Sequence, residues 1–210
     1  MISHTGRLHQ FLFPSLVWKI SSPHIFLTFD DGPHPEATPA VMKVLSRYQI
    51  PATFFLSGKN IADNRSLVHD MNEQRHTIGS HGYHHSRASF LTLQNSTKEI
   101  VKTEKEIASV VPLHSRLFRP PYGFFTWSTI RAARALRYEL VMWTALTGDF
   151  RSWSDERIIA NTVKKLSSGS ILVFHDNEQT KKKIASLLTQ CIERIRDRGF
   201  SFSAIGHDND

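Results

Sequence analysis

The stretch Ile25-Phe26-Leu27-Thr28-Phe29-Asp30-Asp31-Gly32-Pro33 joins a short apolar run to two adjacent carboxylates and a Gly-Pro break. An apolar run of this length, bounded by a turn signal, is typical of a strand buried on both faces, as in a parallel sheet. Two carboxylates ~5 Å apart repel by roughly 3 kcal/mol at an effective dielectric of about 20. We therefore expect cationic partners at this strand end. The alternative is an ordinary Asp-Asp-Gly-Pro turn.

Six further runs have the composition of strands, and patterns typical of helices separate them. The seven predicted strands are Ile25–Phe29, Ala52–Leu56, Thr77–His81, Leu117–Arg119, Glu139–Ala145, Ser170–His175 and Phe200–Ile205. Seven strands alternating with six helices predict an α/β protein with a largely parallel sheet. Because a regular eightfold barrel takes about 250 residues, we expect this chain of 210 residues to form a distorted (β/α)7 barrel in a single domain. An open doubly wound sheet is the alternative.

The clearest helix is predicted just after the first strand. Thr38 is expected to cap it and Pro39 to occupy its first helical position, ahead of apolar residues spaced by three and four. The only cysteine, Cys191, excludes an internal disulfide. It lies in phase with the apolar positions of a helix predicted from Ile184 to Ile195, so we expect it to be buried.

The chain is predicted to consist of an N-terminal segment, residues 1–24, that packs on a domain of residues 25–206. No apolar stretch approaches the ~20 residues that a membrane-spanning helix needs. The opening residues lack the cationic start and small-residue cleavage site of a signal peptide. We therefore expect a cytoplasmic location, with envelope association as the alternative.

The formal net charge of +7 raises the question of a nucleic-acid ligand. The basic residues are scattered, however, and their only short run is Lys181-Lys182-Lys183. We therefore expect no nucleic-acid partner. An anionic substrate or an envelope polymer fits the same charge. The oligomeric state does not follow from the sequence.

Polar side chains gather at the predicted carboxyl ends of the strands, where parallel α/β proteins place their functional groups. The residues at or just after these ends are Asp30, Asp31, His81, His85, Arg119, Asp149 and His175. Two histidines four apart and one carboxylate form a facial set that suits zinc or another divalent transition metal. Among 12 histidines such a pair arises readily by chance, so its position opposite Asp31 carries the prediction. The alternative is that both histidines only brace the loop.

Four motifs occur in order along the chain: Thr28-Phe29-Asp30-Asp31-Gly32-Pro33, His81 with His85, Arg119-Pro120-Pro121-Tyr122-Gly123, and Leu172-Val173-Phe174-His175. With them, the chain resembles the polysaccharide deacetylases of the NodB-homology type, carbohydrate esterase family 4. The resemblance extends from about residue 25 to residue 205. It implies a distorted barrel of seven strands and a metal-dependent hydrolase that removes N-acetyl, or less readily O-acetyl, groups from a carbohydrate.

The resemblance also implies a role for each motif residue. Asp31, His81 and His85 would bind one divalent metal ion, with Zn²⁺ favoured over Co²⁺, Ni²⁺ or Mn²⁺. Asp30 would be the general base, paired with Arg119, and His175 the general acid, partnered by Asp149. The backbone amide of Tyr122, which follows Pro120, would face the oxyanion.

Three positions depart from the family pattern. Gly82 replaces the usual Ser or Thr between the histidines, and Leu146 and Phe150 replace an Asp and a Trp of the motif that contains Asp149. The acid and base positions are retained, so the departures bear on the substrate. Two alternatives to carbohydrate deacetylation remain. One is a deacylase acting on a small amide, and the other is a carbohydrate-binding relative without activity.

Overall fold

The computed structural model describes residues 11–164 and 166–206. Its strands are β1 (Ile25–Asp30), β2 (Thr53–Leu56), β3 (Thr77–Ser80), β4 (Leu117–Phe118), β5 (Glu139–Leu140), β6 (Ala145–Leu146), β7 (Ile171–His175) and β8 (Phe202–Ser203). Its α-helices are α1 (Ala37–Tyr48), α2 (Gly58–Ile61), α3 (Arg65–Glu73), α4 (Leu93–Ala108), α5 (Trp127–Ala135), α6 (Asp155–Val163) and α7 (Ile184–Arg196). Short 3-10 turns lie at Ala62–Asn64, Arg87–Phe90 and Pro121–Gly123.

All strand pairs of the sheet are parallel, and the order is β5-β4-β3-β2-β1-β7-β6. β1 lies in the middle, and all six of its residues are buried, because its mainly apolar sequence allows burial on both faces. β7 covers one of its edges, and β2 and β8 share the other. The predicted α/β barrel of parallel strands is confirmed.

The predicted fifth strand, Glu139–Ala145, is wrong as a single element. Its start, β5, pairs with β4 at one end of the sheet, and its continuation, β6, pairs with β7 at the other. This segment therefore runs from one edge of the sheet to the other. Val17 is inserted where the strand breaks, since its amide donates to Leu140 O and its carbonyl accepts from Met142 N, both at 2.8 Å. The interruption between β5 and β6 is thus what distorts the barrel.

The helix after β1 begins two residues earlier than predicted, at Ala37, and Thr38 is not its cap. The Thr38 hydroxyl instead donates to Asp176 Oδ2 at 2.5 Å and accepts from His34 N at 2.8 Å. A contact with another strand end has replaced the local capping bond. Pro39 is still accommodated because it lies in the first helical turn, where its missing N–H costs nothing.

Two apolar clusters sandwich the sheet. Ile25, Leu27 and Phe29 pack with the surrounding helices, including α7, in which Cys191 is buried as predicted. Alternate residues point the other way, and Phe26 packs with Phe55, Val173 and their neighbours. Thr28 and Asp30 share the face of Phe26, which is what directs the Asp30 carboxylate toward the barrel interior.

The segment before β1 contributes Leu16 and Trp18 to the second cluster. Residues 1–10 of the predicted N-terminal segment lie outside the described residues, so its boundary at residue 24 stays a prediction. Among the helices that the structure describes, none is long and apolar enough to cross a membrane.

Candidate active site

Polar side chains from four strand ends line one cavity of about 110 Å³ at the carboxyl end of the barrel. Its lining comprises Asp30, Asp31, His81, His85, Tyr122, Gly123, Trp143, Leu146, Phe150, His175, Asn177 and Gln179. Of the predicted site residues, only Arg119, Pro120 and Asp149 lie behind this lining. A larger cavity of about 560 Å³ includes Thr77 and Leu117, the first residues of β3 and β4, and so lies at the other end of the barrel.

Asp31, His81 and His85 form a compact cluster. Each offers one ligand atom, and the three atoms lie within 4.8 Å of one another. Oδ1 of Asp31 is 2.8 Å from Nε2 of His85 and 3.5 Å from Nε2 of His81. One carboxylate and two imidazoles at this spacing are a donor set suited to a divalent transition metal.

The ring of His81 is oriented for binding a metal ion. Its Nδ1 donates to the carbonyl of Arg119 at 2.7 Å, which leaves the lone pair on Nε2 facing Asp31. Burial is the largest influence on the ring and lowers the pKa of His81 from 6.5 to about 4. The imidazole is therefore neutral at neutral pH, as a metal ligand must be. The centroid of the His85 ring, the other imidazole of the cluster, lies 5.2 Å from the centroid of the His81 ring.

Asp31 is held in an unusual backbone conformation, with φ of +84°. Asn60 donates to its carbonyl at 2.9 Å, and Asn177 donates to Oδ2 at 2.7 Å, so Oδ1 is the oxygen turned to the histidines. Burial on its own raises the pKa of Asp31. The hydrogen bond from His85 and the positive charge of His175 outweigh it and hold that pKa well below its usual range.

Both carboxylates converge on the same ring. Nε2 of His81 lies 3.5 Å from Asp31 Oδ1 and 3.9 Å from Asp30 Oδ2. Strand alternation alone predicts that neighbouring side chains diverge, but β1 ends at Asp30 and the positive φ of Asp31 turns its side chain back. The two carboxylates therefore face the same space, although neighbouring residues of a regular strand point to opposite faces.

Arg119 is fully buried beneath this cluster, and each part of its guanidinium has a partner. Nη1 donates to Asp30 Oδ1 and to Thr28 Oγ1, both at 2.7 Å. Nε and Nη2 donate to the carbonyls of Val141 and Met142 at 3.2 and 2.8 Å. Those carbonyls come from the break between β5 and β6. The strand break therefore orients the side chain that is paired with Asp30.

His175 and Asp149 form a second charged pair, at the end of β7 and next to the end of β1, where His175 is the register partner of Asp30. Asp149 Oδ1 accepts from His175 Nδ1 at 2.8 Å, and Oδ2 accepts from the His175 amide at 2.6 Å. Burial on its own lowers the pKa of His175, but the charge and hydrogen bond of Asp149, with smaller contributions from Asp31 and Asp30, raise it to about 9. The ring is thus protonated at neutral pH.

The turn after β4 forms the wall beside His85. Pro120 precedes a 3-10 turn in which Tyr122 has φ of +59°, and the Tyr122 ring lies 4.6 Å from the His85 ring. Three non-glycine residues of the cavity, Asp31, His85 and Tyr122, thus have positive φ. Such conformations are costly and cluster where function requires them.

Glu99 of α4 is a residue of this region that the motifs do not reveal. Its Oε2 accepts from the amides of Tyr83 and His84 at 2.8 and 2.9 Å, and its Oε1 from His84 Nδ1 at 2.6 Å. It therefore holds the loop between the two metal-ligand candidates. A signal was present in the sequence, because Glu99 lies on the buried stripe of α4 beside Ile100.

Asp176 is a second residue near the site that the sequence motifs do not reveal. It is fully buried after β7, where its Oδ1 accepts from the Gly32 amide at 3.2 Å and its Oδ2 from Thr38. Burial raises the pKa of Asp176 to about 8. A Cβ on Gly32 would lie 2.2 Å from Asp176 Oδ2, so only glycine allows this contact. Asp176 thereby ties the turn that follows Asp31 to the strand that carries His175.

The departures from the family pattern have local explanations. Gly82 has φ of +78°, and a Cβ there would lie 2.9 Å from the Phe90 ring, so glycine is required in this loop. Glu99 supplies the loop contacts in place of a hydroxyl. Leu146 and Phe150 both line the cavity, and the Phe150 ring meets the His175 ring edge to face at 5.1 Å.

The chain is similar to known deacetylases. A "Peptidoglycan-N-acetylglucosamine deacetylase" of Bacillus cereus is 30% identical over 197 residues, 90% of this chain and 91% of that protein. A "Chitooligosaccharide deacetylase" of Rhizobium leguminosarum bv. phaseoli is 30% identical over 156 residues, 73% of this chain and 68% of that protein.

A solved structure, the Bc1960 peptidoglycan N-acetylglucosamine deacetylase, matches the fold with a TM-score of 0.87 at 24% identity, over 94% of each chain. The profile of the family described as "Polysaccharide deacetylase" matches residues 19–141. The resemblance inferred from the four motifs is thereby confirmed, and the chain belongs to the polysaccharide deacetylase family.

Proposed function

We propose that this chain removes N-acetyl groups from a carbohydrate by general base catalysis from Asp30 and general acid catalysis from His175, with a divalent cation that Asp31, His81 and His85 would hold. As a member of its family, the chain is a carbohydrate deacetylase. One observation supports the assignment of roles above all others. Asp30 and His175 line the same cavity as the Asp31–His81–His85 cluster, and each is paired with a buried charged side chain.

The cluster fits a metal ion by its chemistry. Asp31 is ionised and His81 is neutral with Nε2 free, which are the states that ligands must have. Asp31, His81 and His85 would hold the ion, and a donor set of two imidazoles and one carboxylate favours Zn²⁺, with Co²⁺, Ni²⁺ and Mn²⁺ as alternatives. A divalent cation held there supplies Lewis-acid chemistry, which acidifies the attacking water and polarises the acetyl carbonyl.

Asp30 takes the proton of the attacking water. Its Oδ1 is occupied by Arg119, so Oδ2, which faces His81, is the oxygen available as the base. The buried guanidinium holds the carboxylate in one orientation and offsets its negative charge. Attack on the acetyl carbonyl places negative charge on its oxygen. The backbone amide of Tyr122, at the wall beside His85, is the donor assigned to that oxygen.

His175 gives its proton to the leaving nitrogen. The ring is protonated at neutral pH, and Asp149 fixes Nδ1 so that Nε2 is the atom left to face the cavity. Protonation matters because an amine is a poor leaving group without it, more so than an alcohol. This favours N-acetyl over O-acetyl groups as the substrate.

We propose N-acetylglucosamine as the sugar. The name of the Bacillus cereus relative gives this sugar, and chito-oligosaccharides, which the name of the other relative gives, are built from it. The experiment is to purify the protein, determine its metal content, and measure acetate release from peptidoglycan fragments, chito-oligosaccharides and acetylated xylan. Acetate release from the first two, abolished by a chelator and restored by Zn²⁺, is expected. Release from the xylan alone would contradict the N-acetyl assignment, and a lack of activity on all three would contradict the proposed function.

A further inference from the structure

Two arginines flank the mouth of the cavity on different walls. The guanidinium carbon of Arg87 lies 4.9 Å from the centroid of the Tyr122 ring, on the wall next to His85. That of Arg151 lies 5.7 Å from the centroid of the Phe150 ring, on the wall next to His175. Both aromatic rings line the cavity, so each guanidinium stands beside the catalytic space without entering it.

Within the part of the chain that the structure describes, no carboxylate neutralises either arginine. The ion pairs among the described residues leave both guanidiniums without a carboxylate partner. The acidic groups near the cavity are already matched. Glu178 is bound by Lys181 and His34, and Asp149 by His175. The rim of the cavity therefore carries an excess of positive charge.

Stacking on aromatic rings prepares these arginines for a ligand. A guanidinium held over an aromatic ring can still donate from its N–H groups, and it loses little further side-chain entropy when it binds. Arg151 is also stacked on Trp153, with its guanidinium carbon 4.5 Å from that ring, which limits its range of positions. A planar fork of donors matches a carboxylate, to which it can donate two parallel hydrogen bonds.

We infer that Arg87 and Arg151 bind carboxylates carried by the substrate, and that the substrate is an acidic glycan rather than a neutral one. This inference rests on the proposed function and deepens it. The two relatives act on polymers that differ in this respect, because peptidoglycan carries carboxylates on its peptides and chito-oligosaccharides carry none. The rim charge and the net charge of +7 both favour the acidic polymer.

The test uses one N-acetylglucosamine-containing peptidoglycan fragment in two forms, with its peptide carboxylates free and with the same carboxylates amidated. KM and kcat are measured on both forms for the wild-type protein, Arg87→Gln, Arg151→Gln and a control, Arg194→Gln. Arg194 is exposed in the last turn of α7, which runs back from the rim toward β8, so its loss changes the net charge equally but away from the site.

The wild-type protein is expected to prefer the acidic form. Each rim variant should raise KM for the acidic form by about two- to fivefold, the range of an exposed ion pair, and leave the amidated form unchanged. The control should change neither form. Because exposed arginine pairs are screened by salt, KM of the wild type on the acidic form should also rise with NaCl while that on the amidated form stays constant.

Three results would overturn the inference: equal use of both forms by the wild type, an equal effect of the variants on both forms, or no effect of salt on the acidic form. Failure of the proposed function is distinguishable, because then the wild type releases acetate from neither form. Calorimetric binding of both forms to the wild type still separates the two ideas in that case. Preferential binding of the acidic form supports the inference, and equal binding overturns it.

Discussion

Nη1 of Arg119 donates to Oδ1 of Asp30 at 2.7 Å, and both side chains are buried although 89 positions separate them in the chain. The contact joins the ends of β1 and β4. It leaves one oxygen of Asp30 occupied and the other directed at the metal-ligand cluster, 3.9 Å from His81.

Replacing Asp30 with Asn removes the base and keeps the shape of the side chain. We expect kcat to fall by about 10²–10⁴, the usual contribution of a general base. The metal content should stay the same, because Asp31 and the two histidines remain. Steady-state kinetics and elemental analysis of the same preparation check both statements. A variant with metal and near-normal turnover would show that Asp30 is not the base.

Replacing Arg119 with Met leaves the buried carboxylate of Asp30 without its partner. We expect the free energy of unfolding to fall by about 3–5 kcal/mol, measured by urea denaturation. The matched control is Arg116→Met, three positions earlier, whose half-exposed pair with Glu104 at 3.4 Å should contribute less than about 1 kcal/mol. In the double variant with Asp30→Asn, the free energy of unfolding should fall by less than the sum of the two single losses. The reason is that the double variant leaves no buried carboxylate unpaired. Additive losses would contradict this account of the pair.

Replacing Glu99 with Ala frees the loop between His81 and His85. We expect metal affinity to fall by about 10- to 100-fold, as when groups that orient ligands are removed, with a smaller change in the stability of the metal-free protein. Competition with a chromogenic chelator measures the affinity. The control is Glu106→Ala on the same helix, whose side chain makes no ion pair or hydrogen bond with the described residues. Equal metal affinities of the two variants would show that Glu99 does not orient the metal ligands.

The activity should depend on pH through His175. Its pKa is raised, so the protonated acid is present below that pKa and is lost as the pH rises through it. A cation at Asp31 cancels the contribution of that carboxylate, so the alkaline limb of kcat/KM is expected between 6.5 and about 9. Asp149→Asn removes the main cause of the rise and should move the limb toward 6.5. An unmoved limb would mean that another group is the acid.

Removal of the metal should lower thermal stability as well as activity. A ligand at about 100 times its Kd stabilises the folded state by about 2.7 kcal/mol, so Zn²⁺ should raise the Tm of the chelator-treated protein. His85→Ala should reduce this rise, whereas His114→Ala, a histidine outside the cluster, should preserve it. Thermal denaturation with and without Zn²⁺ provides the measurement. A rise that persists unchanged in His85→Ala would place the metal elsewhere.

Much of the site follows from the rule that parallel strands bring their carboxyl ends to one rim. Asp31, His81 and His85 belong to two strand ends, and they lie within 4.8 Å of one another as that rule predicts. The pairing of His175 with Asp149 follows in the same way, from neighbouring strands β7 and β6. Side chains that point inward from the ends of adjacent parallel strands necessarily lie close together.

Other features depend on partners that are distant in the chain. Glu139–Ala145 has the composition of a single strand, but which edge each half joins is settled by β4, β7 and the inserted Val17. The Thr38 hydroxyl has a local role available as a helix cap, yet its bond to Asp176 replaces it. Local propensity is a weak preference that a buried polar group in need of a partner can override.

The sequence by itself determined the apolar β1 strand, the two carboxylates at its end, and the order of the motifs on the rim, because burial and chain polarity follow from residue type and spacing. Only the tertiary structure decided that Asp30 and Asp31 converge rather than diverge. That arrangement depends on the φ of +84° at Asp31, and such a conformation persists only where distant groups hold it. Asn60 and Asn177 bind Asp31, and Asp176 binds the turn at Gly32.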